Sequence, residues 1–251
     1  MDVYEQICQH MESLGLQIAP QSLASLSMEA GRTHMENIEF LAHVVDHLLV
    51  EKRRRSFAML LKLSGIPVEK TLDSFDFSFQ PELDEQQIRQ LATLDFVKAR
   101  ENLILMAKPG RGKSHLAMAL GLCCIQQGMK VYMATLTQII EKLKDAVRLG
   151  TLNNRKWAAY TRPSLLIIDD VASRQLDKAG CELFAELVSR RYEKGSIIIT
   201  SNRPFSDWPK FYDTRATEEA VDKLVHHSTI ITIKGPSYRL REKLNQMGPL
   251  S

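Results

Sequence analysis

Apolar positions in residues 35–49 fall at Ile38, Leu41, Ala42, Val45, Leu48 and Leu49, the 3.6-residue stripe of an amphipathic helix. Phe57, Leu60 and Leu61 carry a second helical pattern over residues 53–63, and Gly65 and Pro67 stop it. Ile7, Met11 and Leu14 suggest a short helix near the start. Residues 1–66 therefore read as a small helical domain. A region this short builds only a small core, so packing on a partner subunit is expected.

The pattern changes after residue 66. Phe75-Asp76-Phe77-Ser78-Phe79 alternates as a short strand would, or lines a pocket. Residues 84–96 are helical by period, with Ile88, Leu91, Ala92 and Leu94 apolar. Short apolar runs at 103–106, 130–134, 164–169, 196–200 and 229–233 then alternate with helical patterns at 113–127, 136–147, 179–192 and 218–224. Continuous apolar runs separated by helices predict a mainly parallel five-stranded sheet covered on both faces. The expected division is a helical domain over 1–66 and an α/β domain over 67–251.

Between the first of these strands and its helix stands Ala107-Lys108-Pro109-Gly110-Arg111-Gly112-Lys113-Ser114, followed by His115. A strand, a glycine-rich turn with Gly-Lys-Ser and a helix form a phosphate cradle. The helix N-terminus and loop N–H groups face an anion. Lys113 would reach the β- and γ-phosphates of a nucleoside triphosphate, and Ser114 would ligate Mg²⁺. Ala107 replaces the usual first glycine of such loops.

Two later strands end in polar groups. Leu165-Leu166-Ile167-Ile168 runs into Asp169-Asp170, and carboxylates at the C-terminal end of a buried strand point into the ligand crevice of an α/β sheet. Asp169 suits the Mg²⁺ water shell and Asp170 the attacking water. Ile197-Ile198-Ile199 runs into Thr200-Ser201-Asn202, where the Asn202 carboxamide can hold that water. Arg190 and Arg191 close the preceding helix. A helix C-terminus favours cations, and one of the pair, Arg191 in preference, could reach a neighbouring subunit's γ-phosphate.

Composition narrows the field. Apolar residues make up 44% and charged residues 25% of the 251, ordinary for a globular protein. No run approaches the roughly 18 apolar residues of a membrane span, and the acidic, polar start is not a signal peptide. The cytoplasm is expected. The four cysteines lack metal-ligand spacing and read as small buried thiols. The net charge is only +3, but it is unevenly spread. Lys142, Lys144, Arg148, Arg155, Lys156 and Arg162 share a stretch with Asp145 as its sole acid. Lys52-Arg53-Arg54-Arg55 is a second cluster, and Lys234, Arg239, Arg241 and Lys243 a third. Such patches suit phosphate backbones or a solvated helix face.

Several long runs carry a resemblance: LDSFDFSFQPELD, IRQLATLDFVKARENLILMAKPGRGKSHLAMALG, PSLLIIDDVA, ELVSRRYEKGSIIITSNRPFSDWPKFYD and DKLVHHSTIITIKGPSYRLRE. They resemble the IstB-type transposition helper ATPases, in the AAA+ branch that also holds the DnaC-like helicase loaders. The resemblance implies a three-layer αβα P-loop fold with ATP and Mg²⁺ as cofactors. It also implies oligomers that place ATP between subunits, assemble on double-stranded DNA, deform it and recruit a transposase. By position it makes Lys113 and Ser114 the Walker A residues, Asp169 and Asp170 the Walker B pair, Asn202 sensor 1, and Arg190 or Arg191 the finger. Lys223, where the family usually has Arg, becomes sensor 2. Phe75 and Phe77 are the expected adenine contacts. The alternatives are a helicase loader acting on single-stranded DNA and a non-catalytic DNA scaffold. Three departures, Ala107 in the loop, Asp170 where AAA+ proteins usually have Glu, and Lys223, lead us to expect slow turnover.

Overall fold

The computed structural model describes residues 2–210 and 215–247. The chain divides into two compact units, Met1–Met59 and Leu60–Ser251, with the boundary inside a helix. In the first unit α1 (Val3–Ser13), α2 (Pro20–Thr33) and the start of α3 (Asn37–Ser64) surround a small core of Cys8, Leu23, Leu26, Val44 and Leu48. Pro20 opens α2 at its first turn, where a missing N–H costs nothing. The two helical patterns over 35–49 and 53–63 form one 28-residue helix. Its apolar stripe is split. Val44 and Leu48 are buried, while Ile38, Leu41, Val45 and Leu49 stay 67, 55, 46 and 45% exposed.

The second unit holds α4 (Glu85–Leu91), α5 (Asp95–Lys98), β1 (Asn102–Ala107), α6 (Lys113–Gln126), β2 (Val131–Thr135), α7 (Leu136–Arg148), α8 (Asn154–Thr161), β3 (Leu165–Val171), α9 (Lys178–Arg191), β4 (Ser196–Ser201), α10 (Arg215–His226), β5 (Ser228–Ile233) and α11 (Tyr238–Met247). The strands form one sheet in the order β2-β3-β4-β1-β5, and every pairing is parallel. Side-chain alternation assigns the two faces. Ile104, Leu166, Ile168, Ile197 and Ile199 join the core under α7, α8, α9 and α10. Ile167 faces α6, its Cδ1 lying 2.9 Å from where a Cβ on Gly121 would sit. Helices on both sides of a parallel sheet are the expected three layers.

Two local expectations are corrected. Phe77–Phe79 is a 3-10 turn, not a strand, because the Asp76 carboxylate accepts the Phe79 N–H at 3.1 Å and closes the turn. The helix expected over 84–96 breaks at Leu94, which takes a left-handed φ of 65° before α5. The helices α8 and α11 were not among the expected elements. Among the described residues, no helix is long and apolar enough to cross a membrane.

Candidate nucleotide site

The site sits at the C-terminal end of the sheet, where β1 gives way to α6. Ala107 is buried in β1, in register with Ile233 of β5, and it is not among the left-handed residues. Its methyl group is therefore part of the sheet and does not crowd the loop. Gly110 and Gly112 turn the loop at φ 80° and 93°, which residues with a Cβ rarely adopt. Both are also hemmed in. A Cβ on Gly110 would lie 2.1 Å from Ser237 Oγ, and one on Gly112 would lie 2.5 Å from Phe75 Cε2. The loop is thus pressed between the segment before the α/β sheet and the segment after it.

A cavity of about 330 Å³ opens beside the loop. Residues 110–115, including Arg111, Lys113 and Ser114, form one wall; Phe75, Phe79 and Gln80 form another; Tyr238 and Arg239 close it. Phe77 is not on this wall. It stacks edge-on behind Phe75 at 4.8 Å between centroids, under the Arg89 guanidinium. Of the two expected aromatic contacts, Phe75 lines the cavity and Phe77 does not; Phe79 lines it as well. Lys108 and Pro109 lie in the loop but do not line the cavity.

Two walls are fastened to the loop helix and to each other. His115 Nε2 lies 2.8 Å from the Thr71 carbonyl and 3.2 Å from Ser74 Oγ, tying residues 71–75 to the first turn of α6. Burial pushes the His115 pKa below its ordinary value; the Thr71 carbonyl opposes this and Lys70 adds to it. On the other side, the Tyr238 N–H donates to the Gly110 carbonyl at 2.9 Å. Gln80 Nε2 donates to the Pro236 carbonyl at 3.0 Å. Arg241 pairs with Asp76 at 3.0 Å and lies 4.7 Å over the Phe79 ring. Ser78 and then Arg241 hold the Asp76 carboxyl below the usual range.

Deeper in the site, three side chains converge. Ser114 Oγ donates to Asp169 Oδ1 at 2.7 Å, and Thr200 Oγ1 donates to the same oxygen at 2.5 Å. Thr200 Oγ1 in turn accepts the Asp170 N–H at 3.0 Å. Two residues beyond Thr200, the Asn202 Oδ1 is buried with no hydrogen-bond partner among the described residues, an arrangement that suits a water or ligand donor. Nothing in the sequence pattern marks Gln80 or Ser237, and Thr200 was marked only as part of a polar strand end. Arg239 stood out only as one of a basic cluster, and the rest of the GPSYR run only through the resemblance.

Two expectations are overturned. Arg191 is 1% exposed and donates to the carbonyls of Tyr160 (2.7 Å), Pro163 (3.0 Å), Ser164 (3.3 Å) and Ser196 (2.7 Å). Burial lowers its pKa to about 10. It is a staple between the α8–β3 and α9–β4 connections and is not free to reach another subunit. Arg190 is the less buried member of the pair, half-buried, bound to Glu186 at 2.6 Å and stacked 4.8 Å over Trp157. Lys223 lies near the far end of the sheet from the loop. It donates to Ser189 Oγ at 3.2 Å, and its helix leads into the start of β5, where the His227 carbonyl meets the Asn102 N–H of β1 at 2.7 Å. It does not share the cavity; Arg239 does.

Of the basic candidates, Lys144 is paired with Asp177 at 2.5 Å and Arg148 with Asp145 at 2.9 Å. Lys142, Arg155 and Lys156 are exposed, the last two in the first turn of α8. In the helical unit Lys52 and Arg53 are exposed, while Arg54 is paired with Glu51 at 2.9 Å.

A parallel sheet in this order, with a glycine-rich phosphate loop after β1 and adjacent carboxylates near the C-terminal end of β3, defines a P-loop protein of the AAA+ class. Within that class the chain belongs to the IstB-like ATP binding protein family, whose profile matches residues 9–246. It is 37% identical over 240 residues to the ATP-binding protein of insertion sequence IS5376 from Geobacillus stearothermophilus, covering 95% of each chain. It is 38% identical over 221 residues to the ATP-binding protein of IS21 from Pseudomonas aeruginosa, covering 87% of this chain and 83% of that one. Among solved structures it superposes on the DnaC helicase loader with a TM-score of 0.56 at 23% identity, over 66% of this chain and 98% of that one. It also superposes on AMPPCP-bound DnaA from Aquifex aeolicus with a TM-score of 0.58 at 20% identity, over 73% and 57%. These two likenesses concern the fold.

Proposed function

We propose that the chain is an ATP-dependent transposition helper. It binds ATP with Mg²⁺, assembles on double-stranded DNA with nucleotide between subunits, deforms the DNA and recruits its transposase. Hydrolysis is slow and loosens the assembly. The observation that carries the nucleotide reading is the convergence of Ser114 and Thr200 on Asp169 beside the phosphate loop. A hydroxyl and a carboxylate oxygen 2.7 Å apart are the hard donors that Mg²⁺ takes together with waters and phosphate oxygens. When bound, the ion neutralises charge on the transferring phosphoryl group. Lys113 holds the β- and γ-phosphates, and Arg239 replaces Lys223 as the chain's own cation on that side. Asp170 and Asn202 orient the attacking water, with the buried Asn202 Oδ1 as its acceptor. Phe75 and Phe79 flank the base.

Family membership supports the transposition role, since relatives are ATP-binding proteins of insertion sequences. The exposed Ile38, Leu41, Val45 and Leu49 stripe supports self-assembly, because apolar stripes this regular normally find a partner. Lys142, Arg155, Lys156, Lys52 and Arg53 supply cations for DNA phosphates, with Arg190 as the finger.

Sedimentation with linear double-stranded DNA tests the proposal, comparing ATP, a non-hydrolysable analogue, ADP and no nucleotide. Large assemblies should form with DNA and either triphosphate, and should be lost in a folded Lys113→Ala variant. Assembly indifferent to nucleotide, or confined to single-stranded DNA, would refute it.

A further inference from the structure

The ladder between β3 and β4 is interrupted where the carboxylates lie. Ile168 pairs with Ile199, and the next pair is Val171 with Ser201. Asp169 and Asp170 therefore stand opposite the single residue Thr200, the two-against-one count of a β-bulge. Asp170 takes a left-handed φ of 59° there, and Ala172 one of 60°. Hydroxyls stand in for the lost ladder bonds. Thr200 Oγ1 accepts the Asp170 N–H at 3.0 Å and donates its proton to Asp169 Oδ1 at 2.5 Å. Ser201 Oγ donates to the Val171 carbonyl at 3.0 Å. Thr200 is fully buried, so it has no water to replace either partner.

We propose that Thr200 is the positioning residue that sets both carboxylates at once. Its donated bond aims the Asp169 carboxylate at Ser114, and its accepted bond holds the backbone turn that presents Asp170. One hydroxyl has one proton and the lone pairs to do both, which valine of the same shape lacks. The role acts through Asp169 and Asp170 and so rests on the ATPase reading above.

The test titrates Mg²⁺ against binding of a fluorescent ATP analogue and measures turnover separately. In Thr200→Val the Mg²⁺ concentration for half-maximal binding should rise about tenfold or more, and turnover should fall by about tenfold to a hundredfold. Metal-free analogue binding should stay unchanged. Thr200→Ser, which keeps the hydroxyl, should restore both. Ser201→Ala weakens the same bulge without touching a carboxylate and should leave the Mg²⁺ midpoint in place. If Thr200→Val does not fold, Thr200→Ala, which also lacks the hydroxyl, carries the same comparison. A wild-type chain that binds no nucleotide overturns the ATPase reading and this inference with it. A wild type that binds and hydrolyses, beside a folded Thr200→Val with the same midpoint, overturns the role of Thr200 alone. So does a Ser201→Ala variant that shifts the midpoint as far as Thr200→Val.

Discussion

Arg191 fills four carbonyl acceptors with two guanidinium nitrogens, in a pocket that water does not reach. Arg191→Ala removes a donor from each of the four; the Ser164 carbonyl keeps the Ser196 N–H at 3.1 Å, and each buried group left unpaired costs about 1–3 kcal/mol. The variant should lose about 3 kcal/mol or more in urea unfolding. Arg191→Lys should recover little of it, because an ammonium cannot reproduce the planar fork. Arg190→Ala should change stability by less than about 1 kcal/mol and should instead reduce hydrolysis in the assembled state. His115 gives a pH test at the same scale. Its folded pKa is depressed by burial, so the unfolded chain binds the proton more readily. The tether of residues 71–75 therefore contributes fully above the ordinary histidine pKa of about 6.5 and weakens as pH falls below it. The melting temperature of wild type relative to His115→Gln should drop between pH 7.5 and 5.5.

At the scale of elements, α11 and the phosphate loop behave as one piece. Gly110 meets Ser237 and its carbonyl takes the Tyr238 N–H. Gly110→Ala must move either the loop or the start of α11, so it should weaken ATP binding by about tenfold or more. It should also speed proteolytic cleavage at Arg239 and Arg241. Fluorescence titration and timed trypsin digestion would read the two effects. Neither side of this contact was legible as a contact in the sequence. The loop announced itself through glycine spacing, and the five strands through apolar runs that nothing else explains. Asp169, Asp170 and Asn202 were legible because they end such runs. Thr200 was marked only as part of the polar end of its strand; its bonds to Asp169 and Asp170 were not legible, since a threonine there fits ordinary strand propensity. The Arg190-Arg191 pair shows the limit of charge as a signal. Adjacent identical residues on a helix point about 100° apart, and only the packing tells which one is buried. Lys223 was placed by family position, and a linear pattern does not say at which end of the sheet a helix terminates.

For the whole molecule, the basic groups free of carboxylate partners set the response to salt. If Lys142, Arg155 and Lys156 each neutralise one DNA phosphate, the slope of log affinity against log salt should fall by about 2–3 in the triple alanine variant. Binding should weaken alike on unrelated sequences. Lys144→Ala and Arg148→Ala, whose charges already meet Asp177 and Asp145, should move the slope much less.

The nucleotide cavity is walled by residues near 75, near 112 and near 238, and the last of these is made long after the first two. On the ribosome, a chain that has completed its phosphate loop and even its whole sheet still lacks the Ser237–Arg241 wall. Any nucleotide site in such an intermediate lacks one wall, so ligand should stabilise it less than it stabilises the full cavity. On the proposed nucleotide reading, chains that have seated α11 should bind nucleotide more tightly than chains that have not, since only they carry the Tyr238–Arg239 wall.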